Sequence, residues 1–229
     1  MTFSLLCPTR NRPQFLVRLY SSLIETADHP EEIELIVFID DDDNSYDEIQ
    51  LPGLIKIKEP RRLLAECWNR CYEEASGDYL QLLGDDVLFR TPHWDTIVKE
   101  KIDSCPNKIG FVYGDDGCTS GKDFGTHGFI HRNWAMVTGY FVPPYFSAGW
   151  VDYWLDTVSR DIGQKHYIDI YTEHMHVGFD KAPDDDTYRS ARARDCEDHN
   201  ADIFKHHEPE RQADIAKLKQ FAENGVMPC

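Results

Sequence analysis

The chain has 229 residues, of which 41% are hydrophobic and 12% aromatic, typical of one globular domain with a sizeable core. Its 24 Lys and Arg stand against 41 Asp and Glu, and the net charge of −17 disfavours nonspecific binding to nucleic acids and anionic membranes. We expect neither a transmembrane segment nor a secretion signal, because no apolar run approaches the ~20 residues of a membrane span and the first residues lack a basic leader.

Strand and helix patterns alternate through the first half of the chain. The β-α-β order predicts an α/β fold with a mostly parallel sheet and helices on both faces. In chain order, strands are predicted at 3–8, 33–40, 53–60, 78–86 and 109–116, and helices at 11–27, 61–77 and 92–102.

The second half has a less regular pattern. A helix is predicted at 150–163 and a strand at 166–177, and from Lys181 the composition turns polar. Two surface helices are predicted there, at 184–207 and 208–225.

The seven cysteines are scattered and include no CxxC pair. Cys67 and Cys71 lie one helical turn apart in an apolar stripe, which indicates core packing rather than metal binding. Unpaired cysteines of this kind are typical of a reducing compartment, so we expect a cytoplasmic protein.

Acidic residues follow several predicted strands. Asp40, the pair Asp85–Asp86 and the pair Asp115–Asp116 all lie at carboxyl ends of strands, where parallel α/β sheets bind ligands. The pair within "LLGDDVLF" is flanked by core-type residues, so its two charges need compensation, which Mg²⁺ or Mn²⁺ would supply. The alternative is structural: Asp85 caps the next helix and Asp86 is a solvated turn residue.

Two nucleotide-binding motifs are excluded. No GxGxxG follows the first strand, so the dinucleotide fingerprint is missing. The segment "GCTSGKD" lacks the glycine spacing of a phosphate-binding P-loop and the Ser or Thr after its lysine.

Four segments in order carry a resemblance to a known family: "CPTRNRP", "IVFIDDDD", "AECWNRCYEEASGDYLQLLGDDV" and "GWVDYWL". Together they resemble the GT-A-fold glycosyltransferases of the family-2 type over about the first 180 residues. The resemblance implies a GT-A-like catalytic domain at 1–180, with a nucleotide-binding half at 1–117 and an acceptor-binding half at 118–180. A C-terminal helical extension packed on that domain is expected at 181–229.

The resemblance also implies a binding site for a nucleotide-diphosphate sugar of the UDP or GDP type. Pro8, Thr9 and Arg10 correspond to the first-strand loop that holds the nucleotide. Asp40 corresponds to the acid that hydrogen-bonds the base or ribose, and Arg62 lies near the basic residue that approaches the diphosphate.

The resemblance places the metal site at the acidic pair. Asp86 is expected to bind Mn²⁺ or Mg²⁺ directly, with Asp85 nearer the donor ribose or sugar. The usual D-x-D pattern is G-D-D here, with Gly84 in the first position, so a further ligand is needed. His174 and His176, two apart on a predicted strand, face the same way and are candidates, although either is equally explained as a strand-surface histidine.

Asp152 in "GWVDYWL" corresponds to the catalytic acid of the family and is the candidate general base. The start of a helix would keep it ionised, a base opposite the leaving group implies inversion, and helix capping is its structural alternative. The acceptor itself is not identifiable, and its expected contacts are His127, Tyr145, Phe146 and Trp150.

Three hypotheses follow from these residues: an inverting metal-dependent glycosyltransferase, a metal-dependent nucleotidyltransferase, and a catalytically silent nucleotide-sugar-binding protein. Donor specificity separates the first two, and loss of transfer without loss of donor binding on Asp152→Asn separates the third.

Overall fold

A computed structural model describes residues 2–118 and 122–227. Within these residues, eight strands and eight helices follow one another along the chain. The strands are β1 (Phe3–Thr9), β2 (Ile33–Asp40), β3 (Leu54–Glu59), β4 (Tyr79–Leu82), β5 (Val87–Phe89), β6 (Phe111–Asp115), β7 (Phe129–His131) and β8 (Lys165–His174). The helices are α1 (Pro13–Thr26), α2 (Leu64–Glu74), α3 (Trp94–Asp103), α4 (Arg132–Thr138), α5 (Val151–Asp161), α6 (Asp186–Glu197), α7 (Asn200–His206) and α8 (Glu208–Asn224).

The strands form one sheet in the order β3-β2-β1-β4-β7-β6-β8-β5. Strands β1 to β4 pair in parallel, and so do β6 and β8, whereas β7 is antiparallel to both of its neighbours. The predicted α/β class with a mostly parallel sheet is confirmed. Strand β2 is buried along its whole length, as its almost continuous apolar run requires in a sheet covered on both faces.

Helices α1 and α2 cover the sheet as their patterns predict. In α1 the apolar residues Phe15, Leu16, Leu19 and Leu23 are buried on one face, and Pro13 occupies the first turn. In α2, Cys67 and Cys71 are buried in the core, as expected for packing residues, and both are free thiols.

The strand pair β5–β8 positions part of the site. The prediction of one strand at 78–86 is wrong at its end: β4 stops at Leu82, and a short connection containing the acidic pair leads into β5. Strand β5 runs antiparallel to β8, with Val87 opposite His174. The Met175 N–H donates to the Asp86 carbonyl at 2.7 Å. This pairing brings the acidic pair beside the end of β8.

The C-terminal region contains three described helices rather than the two predicted. Helix α8 packs through Ile215, Leu218 and Phe221 into the main hydrophobic core, near α4 and α5. Helix α6 instead lies along the ligand-binding edge of the sheet. None of the helices in the described ranges has the length and apolar character needed to cross a membrane.

Candidate active site

A cleft of about 510 Å³ lies at the carboxyl ends of β1, β2 and β4, with α6 as one wall. Most of the residues singled out in the sequence line it together. They are Pro8, Thr9, Arg10, Asp40, Arg62, Asp85, Asp86, His127, Asp152, His174 and His176. Asp115 and Asp116 lie at the carboxyl end of β6, as expected, but do not line this cleft.

Asp85 lies at the bottom of the cleft and is compensated by protein groups. It is 5% exposed, and it accepts hydrogen bonds from the Thr9 hydroxyl at 2.7 Å and from Arg12 Nη1 at 3.2 Å. Arg12 is itself buried and also binds both carboxylate oxygens of Asp185, just before α6. Burial and the adjacent charge of Asp86 raise the pKa of Asp85, and Arg12 opposes this shift.

A chain of hydrogen bonds fixes the first loop above Asp85. Because the Thr9 hydroxyl donates to the Asp85 carboxylate, it accepts from the Tyr46 hydroxyl, 2.6 Å away. The Tyr46 oxygen in turn accepts the Arg12 backbone N–H at 2.9 Å. Tyr46 is fully buried, so this chain is shielded from water.

Asp86 has different partners. Its Oδ2 lies 3.3 Å from His174 Nε2 and accepts a hydrogen bond from the Tyr188 hydroxyl of α6 at 2.7 Å. Burial raises the pKa of Asp86, but the hydrogen bond and charge of His174 outweigh burial and hold the pKa below its ordinary value. Asp86 is therefore held as a carboxylate.

Three side chains at the cleft are arranged as cation ligands. Atoms of Asp86, His127 and His174 that can bind a metal all lie within 4.8 Å of one another. The His127 and His174 ring centroids are 4.6 Å apart. Burial, followed by the neighbouring His174, lowers the pKa of His127 to about 3, so His127 is neutral and keeps a lone pair for a metal.

His176 lies outside this group, although it lines the cleft. The expectation that it shares a strand face with His174 is wrong, because β8 ends at His174. The His176 Nδ1 instead accepts the Gly178 N–H at 3.1 Å and begins the short 3₁₀ helix Val177–Phe179.

Asp152 stands in the first turn of α5 and is not its capping residue, since Trp150 holds the N-cap position and no side chain caps the helix. The Asp152 Oδ1 is buried and has no hydrogen-bond partner in the part of the chain that the structure describes. Burial raises the pKa of Asp152 to about 7. Desolvation therefore acts against the helix start, which was expected to keep this carboxyl ionised.

The aromatic residues expected to contact the acceptor lie away from the cleft. Phe146 is fully buried in the core, and Tyr145 stacks on His207 with ring centroids 3.7 Å apart. Trp150 stacks on Tyr153, 4.8 Å between centroids. These rings pack α5 against its surroundings, which is the ordinary use of aromatic side chains in a core.

The rest of the cleft contains two further sequence candidates and several residues that were not among them. Asp40 binds Arg10 Nη1 at 2.6 Å and lies 3.8 Å from Arg61, while Arg62 pairs with Glu59 at 2.8 Å. Arg12, Arg61, Tyr188 and Arg194 also line the cleft. Arg12 was recognisable from its place in the first-strand loop "CPTRNRP". The sequence offers Arg194 either as a phosphate contact or as part of a solvated helix face, and Tyr188 as a packing residue of the same helix.

Comparison with known proteins places this architecture in a family. The family Glycosyl transferase family 2 matches residues 4–194, so the chain belongs to that family of glycosyltransferases. Among curated proteins, a sequence search finds no match.

Solved structures share the fold. The mannosyltransferase PcManGT from Pyrobaculum calidifontis, in complex with GDP-Man and Mn²⁺, is similar with a TM-score of 0.62 at 13% identity, covering 97% of this chain and 70% of that one. S. aureus TarS 1–349 is similar with a TM-score of 0.56 at 14% identity, covering 76% of this chain and 60% of that one. Its complex with UDP-GlcNAc matches with a TM-score of 0.56 at 14% identity, covering 75% and 58%. The GT-A fold expected from the sequence is confirmed.

Proposed function

We propose that this protein is an inverting, metal-dependent glycosyltransferase that moves a sugar from a nucleotide-diphosphate donor to an acceptor hydroxyl. One observation carries the proposal: Asp152, whose buried Oδ1 has no hydrogen-bond partner among the described residues, lines the same cleft as the cation-binding arrangement around Asp86. A group-transfer site needs both functions, a base for the acceptor and charge neutralisation for the leaving group.

The donor occupies the half of the cleft between β1, β2 and α2. Pro8, Thr9 and Arg10 hold the nucleotide, and Asp40 receives hydrogen bonds from the base or ribose. Arg62, exposed at the start of α2, approaches the diphosphate. The complexes of the similar structures with GDP-Man and UDP-GlcNAc support a GDP- or UDP-type donor.

Asp86 and His174 hold the divalent cation, Mn²⁺ or Mg²⁺, and Asp85 lies toward the donor ribose or sugar. A cation held by these residues would supply Lewis-acid neutralisation of the charge on the leaving diphosphate. The Mn²⁺ of the similar mannosyltransferase supports this assignment. His176 lines the cleft with its Nδ1 engaged by the Gly178 N–H, and it lies outside the group of three candidate ligands.

Asp152 takes the proton from the acceptor hydroxyl as that oxygen attacks the anomeric carbon. With the leaving diphosphate on the opposite side of the sugar, the attack inverts the configuration. A raised pKa suits a general base that works near neutral pH. We assign donor binding to 1–117 and acceptor binding to 118–180, with 181–229 as an extension whose helix α6 completes the donor cleft.

A donor panel tests the proposal. UDP- and GDP-sugars are mixed with the protein with and without Mn²⁺, and binding is measured by thermal shift, since a ligand of the folded state raises its apparent stability. Sugar transfer or slow donor hydrolysis that depends on Mn²⁺ supports the proposal. Consumption of a nucleoside triphosphate with release of pyrophosphate supports the nucleotidyltransferase instead.

The variant Asp152→Asn separates catalysis from binding. It should bind donor as the wild type does but lose transfer by at least about 100-fold, the smaller end of a general-base contribution. Asp161→Asn, at the other end of α5, is the matched control and should keep full activity. Equal turnover of the Asp152→Asn variant and the wild type removes Asp152 from the mechanism, and donor binding without transfer in the wild type supports the silent binding protein.

A further inference from the structure

We propose that His127 is a third protein ligand of the cation and takes the place of the carboxylate that is missing at Gly84. Two imidazoles and one carboxylate then make the site prefer Co²⁺ and Mn²⁺ to Mg²⁺. This inference rests on the proposed function, because it specifies the cofactor of the same site.

The distances support a shared ion. Two ligands of one ion with bonds of about 2.1 Å lie at most ~4.2 Å apart. The candidate atoms of Asp86, His127 and His174 lie within 4.8 Å of one another, so small side-chain rotations bring all three onto one ion. They come from three parts of the fold: the β4–β5 connection, the segment before β7, and the end of β8.

Gly84 is a direct neighbour of both Asp86 and His127. A Cβ at position 84 would lie 2.8 Å from Asp86 Oδ1 and 3.4 Å from His127 Nε2. The first distance is shorter than real Cβ contacts, so a side chain at 84 would shift the Asp86 carboxylate, whereas the second is an ordinary van der Waals contact. The His127 imidazole therefore lies next to the position from which the missing carboxylate would extend.

The backbone of His127 is held for this purpose. Its φ of +49° lies in the left-handed region, which is uncommon for a residue with a Cβ and is found often at functional sites. The side chain of Gln81, on β4, donates to the His127 carbonyl at 2.9 Å and fixes the turn. The His127 Nδ1 is buried without a hydrogen-bond partner among the described residues, so no hydrogen bond from those residues to this nitrogen sets the orientation of the ring.

Ligand chemistry sets the expected order of ions. Imidazole nitrogen favours later transition metals, whereas Mg²⁺ selects carboxylate, carbonyl and water oxygens. For a given set of N and O ligands, affinity rises from Mn²⁺ to Co²⁺. The site should therefore bind Co²⁺ most tightly, then Mn²⁺, and Mg²⁺ least.

The test measures metal binding alone, with no nucleotide and no turnover. Metal-stripped full-length protein is titrated with CoCl₂, MnCl₂ or MgCl₂ in a calorimeter, and the visible absorption of bound Co²⁺ reports its nitrogen ligands. His127→Asn is the main variant, because asparagine tolerates the left-handed backbone. His166→Gln is the matched control, because His166, on β8, is also a partly buried histidine.

We expect His127→Asn to raise the Kd for Co²⁺ at least tenfold, to change the Co²⁺ spectrum and to reduce the preference for Co²⁺ over Mg²⁺, with His166→Gln unchanged. His127→Gly, which also tolerates the left-handed backbone, keeps the test decisive if His127→Asn fails to fold. Unchanged Co²⁺ affinity in both variants, or Mg²⁺ bound as tightly as Co²⁺ by the wild type, overturns the inference.

These outcomes are separable from failure of the proposed function. Mn²⁺-dependent sugar transfer with unaltered metal affinity in His127→Asn removes only His127 from the ligand set. Tight, His127-dependent Co²⁺ binding without transfer from any donor overturns the proposed function and leaves the ligand assignment standing.

Discussion

Tyr46 offers a test of how the first loop is held. Its hydroxyl donates to Thr9 and accepts the Arg12 backbone N–H, and its ring is fully buried. Tyr46→Phe removes one oxygen and leaves the ring in place, so no large cavity contributes to the change. Two hydrogen bonds are lost, each worth about 1 kcal/mol net, and the Arg12 N–H left without a partner adds a desolvation penalty of roughly 1–3 kcal/mol.

The free energy of unfolding should therefore fall by about 3–5 kcal/mol. Urea denaturation followed by circular dichroism measures this change, with an unchanged slope showing that the folded state is otherwise intact. Tyr20→Phe is the matched control, because the Tyr20 hydroxyl donates to the Pro52 carbonyl at an exposed position. A loss for Tyr46→Phe no larger than that of Tyr20→Phe refutes the proposed hydrogen-bond chain.

Three further predictions concern pH and metal. Burial raises the pKa of Asp152 to about 7, and a bound cation lowers it again. Below that pKa the base is protonated, so kcat/KM should fall tenfold per pH unit, which a pH-rate profile checks. Burial raises the pKa of Asp103, but hydrogen bonds, first of all from Lys99, outweigh burial and lower the pKa to about 2. The contribution of Asp103 to stability is therefore full above pH 4 and is lost as the pH falls toward 2. Urea melts of Asp103→Asn should accordingly differ from wild type at pH 7 and converge with it near pH 2. Chelation by EDTA should abolish sugar transfer, and added Mn²⁺ should restore it in a radiolabel assay.

The parts of the fold predicted correctly are those with a strong local pattern. Strand β2 is a run of apolar residues long enough to be buried on both faces, and α1 has a clean apolar stripe beginning at a proline. Strands β5 and β7 have three residues each, and α4 has seven, so each is too short to show a period of its own. These elements are defined by their partners in the sheet and core.

The candidate site divides in the same way. Asp86 and Asp152 stand in recognisable segments, whereas the contact between Asp86 and Tyr188 joins residues 102 positions apart, with no local signal. Phe146 was expected to contact the acceptor but is buried in the core. An aromatic residue in a glycine- and proline-containing loop is as consistent with core packing as with a sugar platform.

The antiparallel pairing of β5 with β8 has a consequence for assembly. Asp86 and His174 become neighbours only when the chain has closed a loop of more than 80 residues between them. A cation bound by both residues would link the two ends of that loop, so the affinity for the cation would report whether β5 and β8 have paired. At low metal concentration the β5–β8 edge should accordingly open first, and proteolysis should begin there.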